Sequence, residues 1–152
     1  MKYLFLLIFF SNNLTYSQII VDGKTDNSAK IDSALALIKE YDPKVHTHIE
    51  SVCSRISIWE EAYSFSEDSR IFISANDFKL NSINNIACAI VHESMHTYFG
   101  KCRESGLCKA PESNVLEEKY CYSYEYNFFM KLPNREYWLE THILKSISMY
   151  SE

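Results

Sequence analysis

The spacing of hydrophobic residues divides the chain into a helical first part, a strand-rich middle and a helical last part. After a short extended segment at residues 19–21, a helix capped by Asn27 or Ser28 is predicted, and it ends before Pro43. Pro43 suits the first turn of a second helix, which we expect to run to about Cys53. The buried face of the first helix is predicted from three apolar residues at helical spacing, Ile31, Leu35 and Ile38.

The hydrophobic period becomes that of a strand between residues 55 and 74. Ile56 and Ile58 alternate with polar neighbours there. Residues 70–74 form a β-branched and aromatic run that follows a turn-like segment at residues 66–69. We therefore predict two or three antiparallel strands in this part of the chain.

Helical spacing returns at about Ser82 and predicts three more helices. The first has a long apolar stripe and is expected to end at Gly100, because glycine readily adopts the left-handed conformation that stops a helix. A loop over residues 101–112 follows, and then helices over residues 113–132 and 134–150, separated by a proline. The pattern predicts an α+β domain in which a small antiparallel sheet packs on the long helix.

The first seventeen of the 152 residues have the composition of a secretory signal peptide. Lys2 supplies the positive charge, residues 3–10 are an apolar run, and residues 11–17 are polar and end in a small residue. An apolar run this short cannot cross roughly 30 Å of hydrocarbon as a helix. We predict that residues 1–17 are removed on export to the periplasm or the medium, and that residues 18–152 form one domain.

The net charge of the mature chain argues against one class of partner. Cleavage removes one of the 15 basic residues and none of the 20 acidic residues, which leaves a net charge of −6 with neutral histidines. This excess of acid argues against nucleic acid as a partner. No other segment is apolar enough over its length to span a membrane, and we expect a monomer.

Export would bring the five cysteines into an oxidising compartment, where disulfides persist. Cys102 and Cys108 flank a short loop that a disulfide could close, and we predict that bond. Cys88 and Cys121 are expected either as buried thiols, which we favour, or as an interhelix disulfide. Because five is odd, Cys53 is expected to be unpaired.

The sequence His92-Glu93-Ser94-Met95-His96 is the strongest chemical signal in the chain. Residues four apart lie above one another on a helix, so His92 and His96 can bind one metal ion. Glu93 lies on the adjoining face, where it can reach a metal-bound water. A catalytic zinc site has three protein ligands, so a third ligand is expected from another element.

The next helix offers Glu117 and Glu118 as that third ligand. The residues in phase with Glu118 are Cys121, Glu125, Phe128 and Phe129. The residues in phase with Glu117 are Tyr120, Cys121, Tyr124 and Phe128, a partly apolar set. Glu118 is therefore favoured over Glu117. Glu125 either orients a ligand as a hydrogen-bond acceptor or faces solvent.

This combination resembles the gluzincin type of zinc metallopeptidase, in which His-Glu-x-x-His on one helix is completed by a glutamate on a following helix. The resemblance covers roughly residues 71–132. In addition, Glu118-Lys119-Tyr120-Cys121 is similar to the Glu-x-x-small pattern of small exported bacterial peptidases. The resemblance to gluzincins implies a minimal zincin-like domain in which the two motif histidines and Glu118 bind Zn²⁺ and Glu93 is the general base.

The resemblance also implies a mechanism and a class of substrate. Zinc would lower the pKa of its bound water from about 16 towards 7, and Glu93 would take the proton as a peptide carbonyl is attacked. An extended peptide or protein substrate would add to a strand beside the active-site helix, and residues 71–74 are predicted for that role. The candidates for stabilising the oxyanion are Tyr98, Tyr120, Tyr124 and His142.

Two other functions stay open at this point. A metal-stabilised binding or inhibitory domain could keep the same scaffold without catalysis. A helical interaction protein could hold His92 and His96 as core residues and bind no zinc.

His46 and His48 diverge by about 200° around a helix, so we expect them to be surface residues rather than ligands.

Overall fold

The computed structural model describes residues 19–22, 25–60 and 62–151, so the predicted signal peptide at residues 1–17 lies outside the described residues. These ranges contain four strands and six helices, which confirms the predicted α+β class. The elements are β1 (Ile20–Asp22), α1 (Thr25–Tyr41), α2 (Pro43–Val52), β2 (Arg55–Trp59), β3 (Phe65–Glu67), β4 (Arg70–Ser74), α3 (Ala75–Lys79), α4 (Ile83–Ser105), α5 (Asn114–Phe129) and α6 (Tyr137–Met149).

The sheet is mixed, and the prediction of an antiparallel sheet was wrong. Its strand order is β1-β2-β4-β3, with β1 parallel to β2, β2 parallel to β4, and β3 antiparallel to β4. Parallel pairing sets Ile56 beside Ile71 and Ile58 beside Ile73, which aligns the apolar sides of the two strands. Alternation along a strand predicts which side is apolar, but it contains no information on strand direction.

The hairpin between β3 and β4 determines which strand is the sheet edge. Its two turn residues, Asp68 and Ser69, have φ angles of 46° and 62°, as a two-residue hairpin turn requires. The chain folds back here, so β3 occupies the edge and β4 lies inside the sheet between β2 and β3. Residues 71–74, predicted to receive a substrate strand, therefore have strands on both sides, and the two edge strands of the sheet are β1 and β3.

Helix α4 is the central element of the fold, because it contacts α1, α2, α5, β3 and β4. It begins after Ser82, whose hydroxyl accepts a hydrogen bond from the backbone N–H of Asn85. Its predicted apolar stripe is largely buried, with the fully buried members Ile86, Ala87, Ile90 and Val91. Burying an aliphatic side chain of this size stabilises a fold by about 1.5–3 kcal/mol, so this stripe anchors α4 in the core.

Helix α4 does not end at Gly100 as predicted. It continues for more than another turn to Ser105 and is capped by Gly106, which has a φ of 66°. The backbone N–H of Gly106 donates to the carbonyl of Cys102 and closes the last turn. Gly100 has an ordinary helical environment, so the stop signal was assigned one glycine too early.

The remaining boundaries differ from the predictions by a few residues. Helix α1 begins at Thr25, before the predicted caps, and α2 begins after Asp42, whose carboxylate accepts from the N–H of Val45. The short helix α3 was not predicted; Ser74 caps it by accepting from the N–H of Asn76. Helices α5 and α6 are both shorter than predicted, because residues 130–136 form the connection between them.

The cysteines follow the favoured prediction. Cys102 and Cys108 form a disulfide, while Cys53, Cys88 and Cys121 are buried free thiols. None of the helices in the described ranges is long and apolar enough to cross a membrane.

Gly100 within α4 and Gly106 at its C-terminal cap should respond to alanine with opposite signs. Gly100→Ala should stabilise the protein by about 1 kcal/mol, because a helical alanine costs less entropy and its Cβ would meet no atom within 4 Å. Gly106→Ala should destabilise it by about 1 kcal/mol, because its positive φ strains a side chain although the space around it is open. Urea denaturation measures both. Equal signs would contradict the helix end described above.

Candidate metal centre

Helices α4 and α5 bring His92, His96 and Glu118 together. The Nε2 atoms of the two histidines lie 3.2 Å apart. The Glu118 carboxylate spans both rings, with Oε2 3.4 Å from Nε2 of His92 and Oε1 3.4 Å from Nε2 of His96. Three groups that can each donate an electron pair therefore face one common point.

The spacing of these atoms fits a tetrahedral metal ion. Ligand atoms about 2.0–2.2 Å from a tetrahedral zinc lie roughly 3.3–3.5 Å from one another. The two Nε2 atoms are 3.2 Å apart, which is close to that spacing, and each of them lies 3.4 Å from a different oxygen of Glu118. The residues present therefore fit such an ion with little movement of either helix.

Two carboxylates hold the other edges of the histidine rings. Nδ1 of His92 lies 3.0 Å from Oε2 of Glu125, and Nδ1 of His96 lies 2.9 Å from Oε1 of Glu117. An ionised carboxylate only accepts, so each Nδ1 is the donor. Each Nε2 is then the ring atom available to a metal, the arrangement typical of histidine ligands in proteins. Glu125 is 5% exposed, so of the two predicted possibilities the solvent-facing one was wrong.

These contacts shift the pKa values of the histidines and of Glu118. Burial by itself lowers the pKa of His92, but contacts with Glu118 and Glu125 outweigh it and raise the pKa to about 10. The pKa of His96 is also raised, since Glu118 and Glu117 outweigh its burial. The same two histidines lower the pKa of Glu118 to about 2. In the metal-free protein, protons on the imidazoles therefore compete with a metal ion.

Arg103 supports the site from the last turns of α4. Its Nη1 and Nη2 donate to both carboxylate oxygens of Glu117, with Nη2 3.2 Å from Oε1. Burial alone would raise the pKa of Glu117, but the hydrogen bonds from Arg103 and His96 lower it. Sequence reasoning missed Arg103, although it follows His96 by seven residues and so lies on the same helix face.

The prediction of Glu118 over Glu117 as third ligand was based on helical phase, and the burial of the two residues does not support that reason. The phase argument expected the ligand on the more buried face. However, Glu117 is the buried residue, at 6% exposure, and the side chain of Glu118 is 30% exposed. Glu117 is buried because Arg103 and His96 satisfy its carboxylate. Glu118, which faces both Nε2 atoms, stays the predicted third ligand on geometry rather than on phase.

Cys121 lies close to the same point from the interior. Its sulfur and one ring nitrogen each of His92 and His96 all lie within 4.8 Å of one another. Cys121 is fully buried. Sequence reasoning treated Cys121 only as a buried thiol, although it follows Glu118 by three residues and therefore shares its helix face.

Glu93 is positioned at the border of the site. It is 7% exposed, and it lines the cavity that also contains His92, His96 and Glu118. Burial raises its pKa, opposed by the charges of the two histidines. A raised pKa brings a carboxylate towards the range in which it can both take and return a proton near neutral pH.

The cavity beside the site has a volume of about 880 Å³. Strand β3 and its flanking residues 62–69 line the cavity, as do His142 and Tyr150. Tyr122, which sequence reasoning missed, packs edge-on against His92 with ring centroids 4.3 Å apart. The cavity is large enough for a few residues of an extended chain.

The structure reduces the set of oxyanion candidates. His142 lines the cavity, and Tyr98, Tyr120 and Tyr124 are absent from its lining. Tyr98 and Tyr124 instead pack against His48, with ring centroids 5.6 and 5.8 Å from that of His48. His48 is therefore partly buried between these two tyrosines rather than fully exposed.

Neither the protein-family models nor the curated proteins include a match to this chain.

Metal affinity should rise with pH. Because the pKa of His92 is about 10 and that of His96 is raised, metal binding at neutral pH must release protons. Raising the pH removes these competing protons, so the association constant should increase by up to roughly tenfold per pH unit for each proton released. Titration against a competing chelator between about pH 6 and 9 measures the affinity at each pH.

Glu125→Gln removes one cause of the raised His92 pKa and should flatten the dependence of metal affinity on pH. An affinity independent of pH would contradict the protonated site.

The two neighbouring glutamates should differ in their effect on metal binding. Glu118→Gln should weaken binding by more than about 100-fold, because it removes a charged group that faces both Nε2 atoms. Glu117→Gln should weaken binding by about 10–100-fold, because it removes only the support of His96. Isothermal titration with Zn²⁺ compares them. A larger loss in the Glu117 variant would reverse the assignment of the third ligand.

Proposed function

We propose that the protein is an exported zinc-dependent peptidase with a minimal zincin-like domain. The observation that carries this proposal is the convergence of two imidazoles and one carboxylate: the two Nε2 atoms lie 3.2 Å apart, and each lies 3.4 Å from one oxygen of Glu118. Two imidazoles and one carboxylate are the ligand set of a hydrolytic zinc site. The carboxylates on both Nδ1 atoms support that choice, because such partners orient histidine ligands and make them more basic.

Glu93 is the general base of the proposed reaction. A zinc ion in this site would supply Lewis acidity, which polarises the substrate carbonyl and acidifies water. Glu93 takes the proton of the attacking water and returns it to the leaving amine. Its raised pKa suits both transfers. His142 is the candidate donor to the oxyanion, since it alone among the predicted candidates lines the cavity.

The proposed substrate is an extended polypeptide bound along β3. As the edge strand, β3 has one row of backbone N–H and C=O groups not used by β4. Residues 65–67 also line the cavity that contains His92 and Glu93. A peptide that adds to this edge would bring its backbone to the metal centre. We therefore propose residues 65–67, instead of residues 71–74, as the strand to which the substrate adds.

Export is part of the same proposal. The Cys102–Cys108 disulfide is of a kind that persists in oxidising compartments, which suits the periplasm or the medium. The excess of acidic residues also suits a protein that does not bind nucleic acid.

Glu93→Gln should abolish peptide hydrolysis and leave zinc bound. The amide cannot take a proton, so turnover of a quenched peptide library should fall by about 10²–10⁴-fold. Elemental mass spectrometry should still find one zinc per chain, because the three proposed ligands are unchanged. Glu104→Gln is the matched control, since Glu104 also lines the cavity but is exposed, and its turnover should stay within about twofold. Full activity in Glu93→Gln would refute the mechanism, and a chain that binds no zinc would refute the function.

A further inference from the structure

The thiol of Cys121 has a position that packing alone does not explain. It is fully buried, and its sulfur lies within 4.8 Å of one ring nitrogen of His92 and one of His96. Cys53, also a buried thiol, donates instead to the backbone carbonyl of Arg55 at 3.2 Å. Cys88 lies one turn before His92 on α4 and is equally buried, but among the described residues the ligand atoms within 4.8 Å of one another are those of His92, His96 and Cys121, a group that includes neither Cys88 nor Glu118. Cys121 thus differs from the other free thiols in facing the metal centre.

The two helices contribute ligands in a regular way if this sulfur is included. Helix α4 supplies His-x-x-x-His and helix α5 supplies Glu-x-x-Cys, so each provides two groups on one face. The side chain of Glu118 is 30% exposed, whereas Cys121 is reached only from the interior. The carboxylate therefore approaches from the cavity and the thiol from the core.

We propose that Cys121 is a fourth protein ligand, so that the loaded site is closed in the resting protein and hydrolysis occurs only in the fraction of molecules whose sulfur has left the metal. This inference concerns the metal of the proposed peptidase and so rests on that function. On binding, the S–H bond breaks, a metal–sulfur bond forms, and the proton passes to solvent.

The proposal has consequences for activity and for metal choice. A site with four protein ligands is typical of structural metals, whereas hydrolysis needs an open position for water. Removing the sulfur should therefore open the site and raise turnover. A soft sulfur ligand also favours zinc and other thiophilic ions over harder ones such as Mn²⁺.

The first test identifies the atoms that are bound to the metal. X-ray absorption at the zinc edge of the loaded mature protein should find one sulfur at about 2.3 Å. The Co²⁺-loaded protein should show the near-ultraviolet absorption of a cobalt–thiolate bond. Both signals should disappear in Cys121→Ala and Cys121→Ser and persist in Cys88→Ala, the matched control. Because the signals of the unmodified protein need no variant, the test does not depend on whether a variant folds.

The second test reads metal affinity and hydrolysis in the same proteins. Cys121→Ser should bind zinc at least about tenfold more weakly and hydrolyse the peptide library at least about tenfold faster at saturating zinc. Cys88→Ala should change neither.

The outcomes separate the two proposals. Bound zinc with only nitrogen and oxygen neighbours would overturn the role of Cys121 and leave the peptidase intact. A sulfur neighbour with no hydrolysis in any variant would overturn the peptidase and support Cys121 as a ligand of a structural site. A chain that binds no zinc or cobalt would overturn both.

Discussion

Two histidine–carboxylate pairs cross the contact between α4 and α5, and the candidate site depends on them. His92 pairs with Glu125 and His96 with Glu117, and both carboxylates are nearly buried. Leaving a buried charge without its partner costs about 3–5 kcal/mol, so a slip of one helix along the other would be strongly disfavoured. The pairs therefore determine the register of α5 on α4. That register places Glu118 against both Nε2 atoms, with Cys121 beneath it.

The length of α4 links this contact to the disulfide. Because the helix continues past Gly100, Arg103 is held on a helical turn next to Cys102 and can bind both oxygens of Glu117. Gly106 ends the helix, and the disulfide to Cys108 closes the loop directly after it. The covalent bond thus limits the motion of the segment from which Arg103 supports the site. A helix that ended at Gly100 would have left Arg103 in a loop.

The sheet contributes part of the cavity lining through β3. The two-residue turn at Asp68 and Ser69 folds β3 back along β4, so the edge strand lies beside α4. Open sheet edges are usually protected, because their free backbone groups pair with other chains. Here the edge lies along a cavity that contains the candidate metal centre. The free backbone groups of β3 could form hydrogen bonds with an extended substrate bound in this cavity.

The sequence by itself determined the local features of the protein: the helical face of His92 and His96, the start of α2 at Pro43, the α+β class and the Cys102–Cys108 loop. These follow from spacing, capping and short-range loop closure, which involve residues close together in the chain. Strand direction, the identity of the edge strand and the partners of Glu117 were decided by tertiary structure. Each depends on contacts between residues far apart in sequence or on the crossing of two helices. Helical phase placed Glu117 and Glu118 on the helix after the histidines, but only the packed histidines and Arg103 distinguished the carboxylate held by Arg103 from the one that faces both Nε2 atoms.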